Sequence, residues 1–590
     1  MGSLDQTDFW SPRFDIETRD DGTILMQQAD PLPAHMPTLA DYFDKWADAT
    51  PDQVWIAQRE AGGDWRRITY GDGRDAARRI GASLLTMGLG PNKPLLILSG
   101  NSLQHALLAA ACFYVGIPYA PVSPAYSLIS KDHGKLRDIA ALLKPGAVYA
   151  EDGMAFAPAI ASISTADLNV ITPDTPGTTA FASLLSADPG PALDARAMVS
   201  GDTVVKYLFT SGSTGSPKAV INTNRMICAM QTMVRDCYRF LEKRPPVVMD
   251  WAPWNHTAAG NKVSYLVLTN GGTYYIDDGK PAPGKFAETL RNLREVACTW
   301  YFNVPVGWDM LVEELESDDA LARTFFSQLG MMFYAGAGMT QNTWDRLRAI
   351  GQKTTGHEVL LATGLGATET APFALACTEV QQFSGNVGVP SAGLSMKLVP
   401  VGDKMELRLK GPSITPGYYG DSAKTADAFD EDGYYCMGDA LRPADPHDFS
   451  KGFFFDGRIA ENFKLTTGTW VAVGSVRAAL VDSFDGLVRD AVITGENETA
   501  LGALLLLSSS AKAMDPERLA SVLTAKLAEA TRSATGSASR VVRAMVLESE
   551  PSFDRGEVTE KGSLNQRAMR SNHAALIQAL YANEGEILTV

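Results

Sequence analysis

The sequence predicts an α/β protein in two parts. A large N-terminal domain of parallel and mixed sheets with helices covers residues 1–457, and a small α+β C-terminal domain covers 458–590. Three observations carry this. From about residue 38 to 440, short apolar runs alternate with helical segments, as in largely parallel sheets. After Gly457 the charge evens out, with 14 basic against 16 acidic residues, although the whole chain carries −16. The tail also holds a well-marked helix, with Asp515 as N-cap, Pro516 in the first turn, and Leu519, Val522, Leu523 and Leu527 along one face.

In chain order, Pro94–Leu98 reads as a strand followed by a helix over Leu103–Tyr114, and Ala147–Tyr149 as a further strand after a Lys-Pro-Gly turn. Residues 184–200, rich in Ser, Ala, Pro and Asp, read as an exposed connection. At 590 residues, 45% hydrophobic and 20% charged, the chain has the composition of a folded globular protein. The acidic balance without basic blocks argues against a nucleic-acid partner. The six cysteines and seven histidines show no zinc or disulfide spacing. The N-terminus is too polar for a signal peptide. The longest apolar stretch, Ala106 to Val115, is about half a membrane span. These features point to a reduced, cytoplasmic protein with no membrane span; the oligomeric state stays open, a homodimer included.

The most informative segment is Tyr207-Leu208-Phe209-Thr210-Ser211-Gly212-Ser213-Thr214-Gly215-Ser216-Pro217-Lys218. An apolar strand, Val204 to Phe209, runs into hydroxyls and glycines and ends in a lysine. Gly212 and Gly215 let backbone N–H groups approach an anion, Thr210, Ser211, Ser213 and Thr214 add hydroxyl donors, and Lys218 adds a point charge. The segment is a polyphosphate cradle by composition, but it does not fit the Walker spacing.

This string resembles the signature of the acyl-adenylate-forming superfamily, which includes acyl-CoA synthetases, peptide-synthetase adenylation domains and luciferases. Further strings follow in the family's order. Residues Thr363 to Thr370 resemble the second nucleotide segment. That resemblance gives Gly364, Gly366, Ala367 and Thr368 to ATP and makes Glu369 the magnesium ligand and a catalytic residue. Most members carry an adenine-stacking aromatic two places before Ala367; here it is Leu365. Gly417–Tyr419 through Gly438-Asp439 resemble the next block, in which Asp439 would accept the ribose hydroxyls, and Arg458 would contact the ribose. Gly457 to Gly468 is similar to the hinge and the start of a mobile domain. The pivot falls at Ala460 and Glu461, and Lys464 and Gly468 belong to the loop used in thioester formation.

In-line attack of a carboxylate on the α-phosphate brings two anions together, so catalysis needs charge neutralisation rather than a base. The family places its catalytic lysine in a C-terminal loop, and beyond Lys526 this chain has one lysine, Lys561. Trp251 to Thr257 resembles the segment that gates the carboxylate, with Trp254 and His256 facing the acid; His256 could equally be a structural histidine. Asn303, Val304, Gly336, Ala337, Gly338, Gly364 and Ala371 complete the acyl and nucleotide walls that the resemblance implies. The stripe Trp300, Tyr301, Phe302, Trp308 is either an aryl site or core.

Across about residues 38–570 the strings together are most similar to feruloyl-CoA synthetases. The resemblance implies an acid-thiol ligase using ATP, magnesium and coenzyme A on ferulate or another hydroxycinnamate. Other acids (salicylate, benzoate, a medium-chain fatty acid), a carrier-protein acceptor and a sensor that has lost catalysis remain open. No fused carrier domain is expected after the Lys561 loop.

Overall fold

The computed structural model describes residues 4, 8–60, 62–210, 217–459, 463–534, 536–558 and 564–590. A seven-stranded sheet runs in the order Lys218–Thr223, Val204–Thr210, Tyr119–Pro121, Leu95–Leu98, Ala147–Ala150, Asn169–Thr172, Thr179–Ala180. Every neighbouring pair is parallel except the first. The strand Leu95–Leu98 is fully buried, Leu95 and Ile97 packing into one core and Leu96 and Leu98 into another. A strand covered on both faces has no polar side to show, so its sequence is apolar throughout.

The following helix, Leu103–Val115, is capped by Ser102, which accepts from the His105 N–H, and ends at Gly116 with φ 75°. It is buried almost all round, which explains its uninterrupted apolar run. No helix among the described residues is long and apolar enough to cross a membrane. A four-stranded sheet (Val247–Asp250, Thr273–Ile276, Val54–Arg59, Trp65–Thr69) and a parallel three-stranded sheet (Trp300–Asn303, Met331–Tyr334, Leu360–Ala362) continue the α/β pattern. A nine-stranded antiparallel sheet closes the large domain, and its strand Phe453–Arg458 runs through the position chosen as the domain boundary.

In the small domain, Val488–Thr494, Leu501–Leu507, Val541–Val546 and Leu588–Thr589 form a mixed sheet. Leu501, Ala503, Leu505 and Leu507 face one core, and Leu504 and Leu506 the other, as period-two alternation requires. The helix Pro516–Ser533, capped by Asp515, buries Leu523 and Leu527 against this sheet.

Residues 184–200 differ from the expected exposed connection. They contain the end of a 3-10 helix, Phe181–Ser186, and a helix, Gly190–Arg196, with Leu184 and Ala192 buried. Ser83 Oγ donates to Leu184 O at 2.9 Å, tying the segment to the helix Tyr70–Thr86. Two buried apolar residues among many polar ones anchor a segment whose composition reads as a loop.

Candidate active site

Strands Val204–Thr210 and Lys218–Thr223 form an antiparallel hairpin that sets Thr210 directly opposite Lys218. The intervening Ser211, Gly212, Ser213, Thr214 and Gly215 lie outside the described residues. The outer strand of the hairpin is fastened to residues 415–419: Tyr419 N donates to Ala219 O at 2.9 Å, Ile221 N to Gly417 O at 3.1 Å, and Thr415 Oγ1 to Ile221 O at 2.7 Å. This docking brings Lys218 Nζ to 4.9 Å from the centre of the Tyr418 ring. The Tyr418 hydroxyl in turn donates to Glu369 Oε1 at 2.9 Å. Glu369 is buried, and its own carbonyl accepts from Thr415 N at 2.8 Å. Burial and the Glu369 carboxylate push the Tyr418 pKa well up, so the phenol stays a donor. The Tyr435 phenol, also raised by burial, lies against the same carboxylate.

The second nucleotide segment is a short strand, Gly364–Leu365, paired with Leu375–Ala376, and then a 3-10 turn, Thr368–Thr370. Its glycines answer first to their own chain: a Cβ on Gly366 would lie 1.5 Å from Pro372 O, and one on Gly364 2.5 Å from Leu375 O. Ala367 N donates to Thr370 Oγ1 at 2.9 Å, and Thr363 Oγ1 to Tyr334 O at 2.8 Å. Thr368 and Leu365 are half-buried, and Ala371 is fully buried. The exposed run Gly336-Ala337-Gly338 leaves the strand Met331–Tyr334, with Gly336 at φ 93°.

Asp439 and Arg458 are register partners on adjacent strands, with Arg458 Nε 3.4 Å from Asp439 Oδ1. Asp439 is buried and Arg458 exposed, so the carboxylate is fixed while the guanidinium reaches outward.

On the acyl side, Asn303 is completely buried. Its Oδ1 accepts from Trp251 Nε1 at 3.1 Å and Val304 N at 2.9 Å, so its amide holds the turn into the helix Pro305–Ser317. Trp254 donates from its indole to Tyr274 OH at 3.0 Å and packs edge-on against His105. It lines a cavity of about 40 Å³ with Trp55, His105, Phe113 and Tyr265. His256 is half-buried and opens a π-helix, Ala258–Val263, its carbonyl accepting from Gly260 N at 2.7 Å. Single π-turns are frequent at functional sites because they re-aim side chains.

The structure divides the aromatic stripe. Tyr301 and Trp308 pack edge-to-face with Phe325 in a separate core, while Trp300 and Phe302 stack on the opposite face of their strand near Phe333.

In the small domain, Ala460, Glu461 and Lys561 lie outside the described residues. Lys464 pairs with Trp470 across a short hairpin, and Gly468, at φ 79°, sits at its tip with nothing within 4 Å of a Cβ there. The chain leading to Lys561 is anchored at both ends. Buried Glu557 accepts from Ser552 N at 2.7 Å and Asn572 Nδ2 at 3.1 Å, with Arg555 Nε and His573 Nε2 each at 3.2 Å. Upstream, Lys135 Nζ donates to Phe553 O at 3.1 Å and Lys131 N to Asp554 Oδ2 at 3.2 Å, pinning this segment to the large domain.

Tyr418, Tyr435 and Glu557 were not singled out from the sequence. Tyr418 lay inside a recognised string, but its contact with Glu369 spans 49 residues, and spacing does not register such a contact.

Comparison with known proteins agrees with this architecture. The adenylation domain of the carboxylic acid reductase from Segniliparus rugosus, solved with AMP and a co-purified carboxylic acid, superposes with a TM-score of 0.69 at 18% identity over 93% of this chain and 94% of that one. ATP-bound MatB from Rhodopseudomonas palustris gives 0.64 at 20% identity over 92% and 100%. These likenesses establish the fold, a large N-terminal and a small C-terminal domain.

The chain belongs to the AMP-binding enzyme family, whose model matches residues 43–419; the family's C-terminal domain matches 463–585. Among curated relatives, the carboxylic acid reductase of Mycobacterium marinum is 26% identical over 68% of this chain. The chain spans about a third of that relative's length, 34%. The 4-coumarate–CoA ligase 5 of Oryza sativa subsp. japonica is 24% identical over 80% of this chain and 85% of its own. The feruloyl-CoA synthase of an Amycolatopsis species is 25% identical over 63% and 70%.

Proposed function

We propose that this chain activates an aromatic carboxylic acid, ferulate or another hydroxycinnamate, with ATP, and passes the acyl group to the thiol of coenzyme A in the cytoplasm. The observation that carries the reading is the convergence of Lys218, Tyr418 and Glu369 beside the phosphate-loop hairpin. A cation, a phenol donor and a buried carboxylate, drawn from three distant segments, suit a polyphosphate better than any packing role.

In the first half-reaction a substrate carboxylate oxygen bonds to the α-phosphorus, the bridge to the β-phosphate breaks, and pyrophosphate leaves. Lys218 and the loop before it neutralise the phosphates, Asp439 takes the ribose hydroxyls with Arg458 beside it, and Lys561 bridges the carboxylate and α-phosphate oxygens. Among the described residues no cluster of three or more His, Cys, Asp or Glu could hold a metal alone. Glu369, oriented by Tyr418, fits magnesium, which takes one or two carboxylates and completes its shell with phosphates and water. Bound there, the ion would add charge neutralisation. In the second half-reaction the thiol sulfur bonds to the acyl carbon, AMP leaves, and the thiol proton goes to solvent. Rotation about residues 460–461 would exchange the Lys561 loop for the hairpin carrying Lys464 and Gly468.

The likeness to a long-chain-fatty-acid–acyl-carrier-protein ligase of Arabidopsis thaliana, 26% identical over 38% of this chain, supports a second acceptor, a carrier-protein thiol. The test mixes enzyme, ATP, magnesium and CoA with hydroxycinnamic, hydroxybenzoic and straight-chain acids and identifies thioesters by mass. Feruloyl- or coumaroyl-CoA as the dominant product is expected. A different thioester keeps the chemistry and overturns the hydroxycinnamate assignment, and acyl-AMP without thioester overturns CoA as acceptor.

A further inference from the structure

Lys262, in the π-helix that His256 opens, is 4% exposed, and its Nζ is surrounded by rings rather than anions. Its Nζ lies 3.3 Å from the centre of Phe333, 4.7 Å from Phe373 and 5.7 Å from Trp300. No carboxylate and no hydrogen-bond acceptor among the described residues engages it. Trp300 is completely buried, and its indole N–H is likewise without an acceptor. A buried indole N–H is thus left unanswered beside a lysine whose side chain meets rings, a costly arrangement that native interiors seldom keep without a use.

The four residues come one from each segment assigned to the acyl site. Lys262 follows Trp254 and His256. Trp300 begins the strand that ends at Asn303, before Val304, and Phe333 lies on the strand that leads into Gly336–Gly338. Phe373 follows Gly364–Ala371, and the Phe333 ring comes within 3.5 Å of where a Cβ on Gly364 would stand.

We propose that Lys262, with the Trp300 N–H beside it, closes the far end of the acyl pocket and selects acids that carry an oxygen there, remote from the reacting carboxylate. The rings hold the lysine side chain in place, and its amine and the Trp300 N–H are the donors available to an acceptor. Burial holds the Lys262 pKa well below that of an ordinary lysine, and the Cys237 thiol nearby is itself kept protonated by burial. An acidic phenol or a second carboxyl group would therefore meet an amine ready to share its proton. A pocket built to hydrogen-bond a substrate oxygen rejects the analogue lacking it far more strongly than an apolar pocket rejects an added hydroxyl.

This inference rests on the carboxylate-activating function proposed above, and matched acids separate the two. Wild type and K262M are assayed for ATP-dependent acyl-AMP formation with p-coumarate against cinnamate, 4-hydroxybenzoate against benzoate, and 8-hydroxyoctanoate and suberate against octanoate. In whichever series turns over, wild type should prefer the oxygen-bearing acid. K262M should lower that preference about tenfold or more, chiefly through KM, while sparing the bare acid. Turnover in the aliphatic series alone would overturn the aryl reading and leave the Lys262 inference standing. A preference unchanged in K262M, or equal loss on both members of a pair, would overturn the inference and make Lys262 a structural residue. Should K262M melt too early to assay, K262Q and W300F, each removing one donor, give the same two readouts.

Discussion

The Tyr418 hydroxyl donates a 2.9 Å hydrogen bond to Glu369 Oε1, and the face of the same ring carries Lys218 Nζ at 4.9 Å. One side chain thus spaces the cation and the carboxylate that flank the phosphate loop, and it orients the carboxylate by using one of its oxygens. Because Glu369 is buried, loss of the phenol leaves a charged acceptor short of a partner.

Tyr418→Phe should therefore raise the magnesium concentration needed for half-maximal ATP–pyrophosphate exchange and lower kcat/KM by roughly tenfold, the worth of a hydrogen bond to a charged group. Glu369→Gln should all but abolish exchange. Unchanged ATP turnover in Glu369→Gln would show that these residues are structural.

Lys561→Ala should reduce adenylation by roughly 10²–10³-fold, the loss expected for a transition-state donor. Thioester formation from supplied acyl-AMP should fall much less. The comparison is made by single-turnover assays of the two half-reactions, and equal loss in both would remove Lys561 from the catalytic role.

Glu557 gathers Ser552, Arg555, Asn572 and His573 at the base of the chain that carries Lys561. Glu557→Ala should slow adenylation about tenfold, since a lysine that samples more positions is less often aligned. Glu557→Gln, which keeps an acceptor, should recover part of that loss. A fall in melting temperature with adenylation intact would confine Glu557 to folding.

Asp250 accepts from Tyr274 OH at 3.2 Å and from Ala252 N at 2.9 Å, yet burial pushes its pKa up to about 7. An unfolded aspartate titrates near ~3.9. Between about pH 4 and 7 the folded chain therefore holds a proton that the unfolded chain has lost. The contribution of this group is fully present below pH ~4 and declines as pH rises through 7, at up to ~1.4 kcal/mol per unit. Asp250→Asn should flatten that part of the denaturation free energy measured across pH 4–8, and an identical slope in the variant would refute the assignment.

The sequence by itself determined the α/β class, the helix capped by Asp515, the strand that enters the phosphate loop and the order of the strings that mark the family. Each of these is written in local terms: apolar runs, capping residues, and glycines and hydroxyls at short spacing. It also listed Glu369, Asp439, Arg458 and Lys218 as separate points along the chain. Only the tertiary structure decided that Tyr418 joins Lys218 to Glu369, and that residues 184–200 pack onto a helix. It also divided the aromatic stripe between two cores, set Trp254 edge-on against His105, and caged Lys262 among rings from three other segments. The physical reason is that a side chain's partners are fixed by strand register and layer packing, and these join residues tens to hundreds of positions apart. Composition and spacing record what a residue can do, and only the folded chain decides what it meets.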